Sequence, residues 1–529
     1  MRHTISNLIL GSSASPRTLE ALDARVLPAA DLSVAIVNTI STYVVPGDKI
    51  KFTANVTNTG TTIINGPVTV NFIAPVNNTD SPLGVAASIT KNLSLKPGQS
   101  AQVVAPWTVT DAAAPGVYDY AASLQPSAQT GDTSNDTSTR SAGFDLKLVF
   151  GSYGARRNVV LSTVDDDGTI ITYSMNGPGY GLFRAANTVD QQAGLDVMGT
   201  STASQMSILL KGGNSLANLD QTINIAGSLG KLVAAGCNFS GTLSVSGSLG
   251  DFTAGDLTDL DMTIAGRGPG MKFKAGNITD LRLNSNTPIA QMDFGDWQWV
   301  ADPSRPDLTD TQLSTLTAPW IGKLTARGEF SAITSLSGVG APGGTTAMQI
   351  KIGGTFTGQF SANGTIAAFA ATTVDQGMIV CSGSLFTATI GNAIDASIWA
   401  RSLLKLDLGT AANIDVAAGA TFDATALSAL AQGNRAVIGW GAGSIGAITA
   451  KGNITRGHFA AGVNPTDGIV LNGDDVQTAT GAIGKIELKG TTGDVLFAAS
   501  SLPAIAKIGA LSVRTATDGR FILLTNPSA

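Results

Sequence analysis

Gly230-Lys-Leu-Val-Ala-Ala-Gly236 returns along the second half of the chain as Gly322-Lys-Leu-Thr-Ala-Arg-Gly328, Gly446-Ala-Ile-Thr-Ala-Lys-Gly452 and Gly484-Lys-Ile-Glu-Leu-Lys-Gly490. Looser copies are Gly250-Asp-Phe-Thr-Ala-Gly255 and Gly270-Met-Lys-Phe-Lys-Ala-Gly276. The alternation inside the motif puts Leu232 and Ala234 on one face of a short strand and Lys231 and Val233 on the other. Each glycine marks a bend that needs either positive φ or close approach of another backbone.

The spacing gives the architecture. Gly230, Gly250 and Gly270 lie 20 residues apart and Ala290 continues the series, while Gly446 and Gly484 lie 38 apart, which reads as two turns of 19. A period near 20 fits one rung of a coil made of short strands and tight bends, stacked so that each rung buries its neighbour's apolar face. The fixed leucine pattern of leucine-rich repeats is absent, as is the tandem Gly-Gly-x-Gly-x-Asp of Ca²⁺-binding rolls. A parallel β-helix of about 20 residues per rung remains, right-handed because parallel crossovers nearly always are. It is expected over residues 227–529.

One step is too long. Ala290 to Gly322 spans 32 residues, so an insertion loop is expected near 296–318. Trp297, Trp299 and Trp320 sit in or beside it, three of the six tryptophans. Exposed aromatics stack on sugar rings and anchor interfaces, which makes these three the candidate ligand-binding residues. The plainer alternative is a loop folded down over the coil and packed by its own indoles.

Residues 149–226 are less regular and read as the first turns or a cap of the coil. Within them Asp165, Asp166 and Asp167 precede Gly168 in a tight turn, and their oxygens are of the kind Ca²⁺ prefers. Turn chemistry alone also accounts for Asp and Gly there. Residues 30–148 alternate strand and turn signals: Ile50-Lys-Phe-Thr-Ala-Asn-Val56 has period two, and Pro46-Gly47-Asp48, Asn58-Thr-Gly60 and Lys96-Pro-Gly98 punctuate. This pattern reads as an Ig-like β-sandwich of about seven strands, with Trp107 between the sheets. The fold class is therefore all-β, a sandwich followed by a solenoid.

The 30–148 segment resembles the CARDB domain, an immunoglobulin-like module related to bacterial cell adhesion. The resemblance rests on Asp31-Leu-Ser-Val, Pro46-Gly47-Asp48, Asn55-Val-Thr-Asn-Thr-Gly60, Leu95-Lys-Pro-Gly98, Trp107 and Gly116-Val-Tyr118. In place of the family's Glu/Asn-rich turn before the last strand stands Thr130-Gly-Asp-Thr-Ser-Asn-Asp-Thr137. Residues 1–29 read as a targeting segment: Leu19, Glu20, Leu22, Asp23, Arg25, Leu27, Pro28 and Ala29 resemble a sorting-like motif of large exported planctomycete proteins. Asp165 to Gly168, Gly177-Pro-Gly179, Ser228-Leu-Gly230 and Ser248-Leu-Gly250 are similar to the arrangement in surface proteins of the same bacteria. These resemblances imply export, a cell-surface location and adhesion.

Composition narrows the function classes. With 62 Gly, 13% charged residues and 43% hydrophobic residues the chain suits strands and turns rather than disorder. A net charge of −6 and no Lys/Arg run argue against nucleic acid as a partner. No stretch reaches the roughly 18 apolar residues of a membrane helix. His3 and His458 with Cys237 and Cys381 leave no His/Cys metal cluster. The two cysteines are about six or seven rungs apart, too far for a disulfide.

Many β-helices cleave polysaccharides, so catalysis is the rival to weigh. Gly457-His458 stands before Asp474-Asp475, and no Arg-x-Lys follows, so the galacturonase order is not met. Asp256, Asp259, Asp261 and Asp280 with Arg267 and Arg282 could gather acids beside a base, yet acids at rung corners also simply solvate a solenoid. The reading is a non-enzymatic exported surface, adhesion or cell-envelope structural protein, with cell-envelope or matrix protein or polysaccharide as partner. No cofactor is expected, Ca²⁺ excepted. The alternatives are a polysaccharide lyase or glycoside hydrolase, and a carbohydrate-binding protein without catalysis.

Overall fold

The structure is a computed structural model, and it describes residues 30–37, 43–45, 48–73, 85–109, 116–125, 133–154, 156–164, 167–184, 194–213, 217–299, 314–466, 469–472 and 475–524. The 1–29 segment with its sorting-like motif, and the Pro46-Gly47 turn, lie outside the described residues. The chain is nearly all β and divides into two compact units, Met1–Leu146 and Lys147–Ala529.

In the first unit two sheets share one core. One holds Leu32–Ile36, Lys49–Asn58 and Ser100–Thr108; the other holds Tyr43–Val44, Thr137–Leu146, Gly116–Leu124, Ile64–Ile73 and Val85–Leu95. That is eight strands, one more than expected. Period-two alternation sends Phe52, Ala54 and Val56 inward from the first sheet to meet Val70, Phe72, Tyr118 and Tyr120 from the second. Phe52 is the hub, 5.3 Å from Phe72 and 5.6 Å from Tyr120, centroid to centroid. Trp107, expected between the sheets, is only half-buried and stacks on Phe52 at 5.8 Å from the rim, because it lies near the end of its strand.

The Asn58-Thr-Gly60 turn is fixed by a buried side chain. Asn58 Nδ2 donates to the carbonyls of Thr62 (2.8 Å) and Leu95 (2.9 Å), and its Oδ1 accepts from Gly60 N (3.0 Å). Asn58→Ala is therefore expected to cost about 1–3 kcal/mol, since it strands those groups away from water; urea melts of the two proteins measure it.

Among the described residues the second unit is built on one nearly closed sheet of 32 strands, with two small two-stranded sheets beside it. Its first part is antiparallel: Leu161–Val164 pairs with Ile170–Asn176, and Tyr180–Arg184 lies between Leu148–Gly151 and Gly194–Thr200. Parallel pairing then begins at Gly194–Thr200 with Ala217–Gly227, well before the glycine motif makes it visible. From there nearly every strand pairs with its counterpart in the next rung. Met206, Leu232, Phe252, Phe273, Met292 and Leu324 stand in direct register, and the row continues through Ile350 and Phe369 to Leu406, Ile448 and Ile486. All are buried in one core that runs the length of the unit. Aromatic side chains stack from rung to rung, as in Phe459–Phe497–Phe521 at 5.1 Å per step. The far end is closed by Phe521–Leu523 and by the antiparallel pair Ile505–Ile508 and Leu511–Arg514.

One expectation, two turns of 19 between Gly446 and Gly484, is corrected by the register. The long step from Gly446 to Gly484 is one rung, because Ile445 pairs directly with Ile483; residues 462–480 are an insertion rather than a second turn. Of the two roles expected for the leading glycines, Gly230, Gly250, Gly322, Gly446 and Gly484 serve close approach, while Gly270 has positive φ (141°). A Cβ on Gly250 would stand 2.4 Å from the carbonyl oxygen of Gly230, and one on Gly322 or Gly484 would meet the oxygen of Ala290 or Gly446 at the same distance.

Backbone N–H groups at the corner after this strand are capped from the rung beneath. Asn238 Oδ1 accepts from Asp256 N, Asp256 Oδ1 from Asn277 N, Asn277 Oδ1 from Asp296 N and Asp296 Oδ1 from Glu329 N, at 2.7–3.2 Å. Gly250→Ala or Gly322→Ala should lower stability by about 1–3 kcal/mol through backbone overlap. Gly519→Ala, with open space around its Cα, should change little, and thermal melts of the three variants compare them.

Candidate functional site

A second corner of the coil is built from residues in the left-handed region, Asp259 (φ 48°), Asp280 (φ 55°), Gln376 (φ 54°) and Asp395 (φ 49°). Asp tolerates this backbone better than most side chains. The first insertion leaves at the same corner. Ile278 and Thr279 pair with Trp297 and Gln298, and Arg282 pairs with Thr315, so residues 299–314 replace what is a short bend one rung earlier. Residues 300–313 of that insertion lie outside the described residues.

The three candidate tryptophans do not converge. Trp297 is fully buried inside the coil, 5.5 Å from the rings of Phe294 and Phe330, so it is core and unavailable to a ligand. It aligns with Ile278, an inward position, and the alternation of the strand carries it in. Trp320 is half-buried near the start of the next motif strand, its carbonyl accepting from Ile289 N at 3.0 Å. Only Trp299 borders a cleft.

One wall of that cleft belongs to a cover that the repeat pattern does not reveal. Residues 419–442 leave the coil after Ala418, form the helix Ala426–Ala431, and rejoin at Gly443. With residues from the 462–480 insertion they cover an outer face that is apolar here: Met378, Val380, Trp399, Ala417 and Ala460 pack against Leu430, Ile438, Val463 and Val470. The Arg435 guanidinium lies over the Trp399 ring at 5.1 Å. The signal was present in the sequence. Met378-Ile-Val-Cys381 and Phe459-Ala-Ala461 are apolar at consecutive positions, the mark of a strand buried on both faces.

Between cover and corner the cleft measures about 580 Å³, with Trp299, Ser331, Gln359, Gln376, Gln432 and Arg435 in its walls. Trp299 N donates to Ser331 Oγ (2.8 Å), and Gln359 Nε2 donates to Ser361 Oγ (2.8 Å) and to the Leu430 carbonyl (2.9 Å). An indole, amides, hydroxyls and a guanidinium in one recess can stack on and hydrogen-bond a neutral polar ligand such as a sugar.

Further along, Asp415, Arg456, His458 and Asp494 gather across three rungs. Asp415 pairs in register with His458, and Arg456 with Asp494. His458 Nδ1 is 3.8 Å from Asp415 Oδ1, its Nε2 is 3.5 Å from Asp494 Oδ2, and Arg456 is 3.6 Å from Asp415 Oδ1. Sequence order alone hid this set, because its members are far apart along the chain and only the register joins them. His458 is no ordinary exposed corner: it is 4% exposed, with Nδ1 2.5 Å from the Val470 carbonyl of the insertion above it.

The other acidic candidates stay dispersed or engaged. Arg282 forms a two-pronged pair with Asp261, which together with the Asp259 and Asp280 charges raises its pKa further. Asp256 caps Asn277 N. Asp167 Oδ1 accepts from Thr169 N at 2.8 Å, an Asx turn, while Asp165 and Asp166 lie outside the described residues, as does Asp474. No group of three or more metal-ligating side chains occurs among the described residues. No helix among them is long and apolar enough to cross a membrane.

No protein-family model and no curated protein matches the chain. Among solved structures, the CARDB domain of a Pyrococcus furiosus protein, described in complex with di-metal ions, is similar over 22% of this chain and 87% of its own, at 17% identity and a TM-score of 0.17. The sporulation control protein Spo0M of Bacillus subtilis is similar over 32% of this chain and 91% of its own, at 10% identity and a TM-score of 0.16. Both likenesses are weak and confined to part of the chain.

Cys237 and Cys381 are free and buried, and burial pushes their pKa values to about 11 and about 12. Cys381 aligns with Val245 after six rungs, through Ile264, Ser285, Ala318, Leu336 and Ala362, a separation of about 29 Å at ~4.8 Å per rung. Both thiols should resist an alkylating reagent in the native protein and react after unfolding in urea. An intact mass showing a Cys237–Cys381 bond would contradict the register.

Proposed function

We propose that this chain is an exported, non-catalytic surface or adhesion protein. In this reading its first unit is an Ig-like, CARDB-like sandwich and its second a right-handed parallel β-helix with a sugar-accepting cleft at Trp299. The observation that carries the reading is how the coil uses its polar side chains. The Asn and Asp of its corners cap backbone groups of the next rung, and Arg282 is spent on Asp261. What remains facing a recess is an aromatic and amide set suited to recognition. The Leu19 to Ala29 motif supports export to the cell surface, where envelope or matrix polysaccharide or protein would be the partner.

The enzyme reading is favoured by one observation, the Asp415–Arg456–His458–Asp494 group. Acid–base cleavage needs a group within reach of both substrate and water. The burial of His458 and its contact with Val470 argue for a structural clamp on the 462–480 insertion instead.

The full chain, incubated with neutral and acidic polysaccharides with and without Ca²⁺, separates these accounts. Retention without new chain ends, weakened at least tenfold for neutral glycans by Trp299→Ala, is expected. New chain ends abolished by Asp494→Asn would establish catalysis. Ca²⁺-dependent retention that Asp167→Asn abolishes would place a cation at the 165–168 turn.

A further inference from the structure

The outward face of the motif strands carries a second binding surface. On the six strands from Leu229–Ala234 to Thr345–Phe356, one outward row runs Lys231, Asp251, Lys272, Gln291, Lys323, Gln349, each in register with the next. The adjacent row runs Val233, Thr253, Lys274, Asp293, Thr325, Lys351. Five lysines against two acids leave this face with three positive charges, in a chain whose net charge is −6. One of the two acids is already engaged, with Asp293 held by Arg327 at 3.5 Å. Lys272, Lys274, Lys323 and Lys351 are exposed and form no ion pair with the described residues. At ~4.8 Å per strand the face is about 24 Å long, and Lys231, Asp251, Lys272, Lys274, Gln291 and Asp293 line a shallow groove of about 280 Å³ in it.

We propose that this face binds a linear acidic polysaccharide, one carrying carboxylates along its length, laid across the rungs. Repetition is the reason: the first row sets an ammonium group on every second strand, at Lys231, Lys272 and Lys323, and Lys274 and Lys351 add to it from the second row, as a polymer sets its charges along one direction. Gln291, Gln349 and the Thr253 and Thr325 hydroxyls between the lysines offer donors and acceptors to sugar hydroxyls. Nucleic acid fits less well. The two rows hold no arginine for two-pronged phosphate contacts and no aromatic ring on which a base could stack. The surface is separate from the Trp299 cleft, so its failure would leave the neutral-glycan reading standing, and the reverse holds too.

The test is affinity electrophoresis and calorimetry of the full chain with polygalacturonate, neutral dextran and a single-stranded oligonucleotide. Polygalacturonate is expected to bind, and to bind more weakly as salt rises from about 20 mM to about 300 mM, because exposed charges are screened. Dextran should not compete at this face. The quadruple variant Lys272→Gln, Lys274→Gln, Lys323→Gln, Lys351→Gln should bind at least tenfold more weakly while keeping the parent's melting temperature. Removing the same charge as Lys49→Gln, Lys91→Gln, Lys96→Gln and Lys451→Gln should leave binding within twofold. Equal loss in both variants, no loss in the first, or no binding by the parent at low salt would overturn the proposal. So would an oligonucleotide that binds more tightly than polygalacturonate and is lost in the first variant.

Discussion

The second unit depends on one constraint, that each rung lie flush on the one beneath it in register. Parallel backbone hydrogen bonds hold neighbouring strands about 4.8 Å apart, and inward side chains then meet their counterparts one rung away. Phe252 meets Phe273 at 5.0 Å because the register places them so. Where a Cβ would hold two backbones apart, the sequence has glycine. Where a corner would leave N–H groups unpaired, it has Asn or Asp reaching up from below. A rung alone has no core, so stability belongs to the stack.

What the sequence made legible follows from that constraint. The Gly-x-Φ motif reveals rungs wherever three requirements coincide: close approach, an inward large residue and an outward polar one. The rungs between Gly194 and Gly227 meet them with other residues and stay hidden. Period alone also cannot separate two short rungs from one long rung, which is why the step from Gly446 to Gly484 misled. In the first unit the turn signals placed the strands well. Trp107 yielded the centre to Phe52 and Tyr120 because strand position, not ring size, decides depth.

The candidate sites were legible to a lesser degree. Tryptophan clustering in sequence did not become clustering in space: Trp297 lies in the core and Trp299 at the cleft, although they are near neighbours in the chain. The strand of Trp297 ends at Gln298, so its alternation no longer governs where Trp299 goes. The cover and its small core announce themselves only in strands apolar at both faces. The Asp415–Arg456–His458–Asp494 group needs the register, which no local pattern supplies. Insertions thus give a uniform scaffold a covered face and a cleft beside the cover, while the motif strands themselves carry an open charged face.

The register across the 462–480 insertion is the most exacting test of the rung account. In a Cys237→Ala, Cys381→Ala background, Thr449→Cys and Glu487→Cys would be introduced together, since these positions face outward and pair directly. Mild oxidation followed by peptide mapping should give a bond between residues 449 and 487, because their Cα atoms stand within the reach of a disulfide, below about 7 Å. Absence of that bond under conditions that oxidise a Val233→Cys, Thr253→Cys pair would mean that a full rung separates the two strands, and the single-rung account would be wrong.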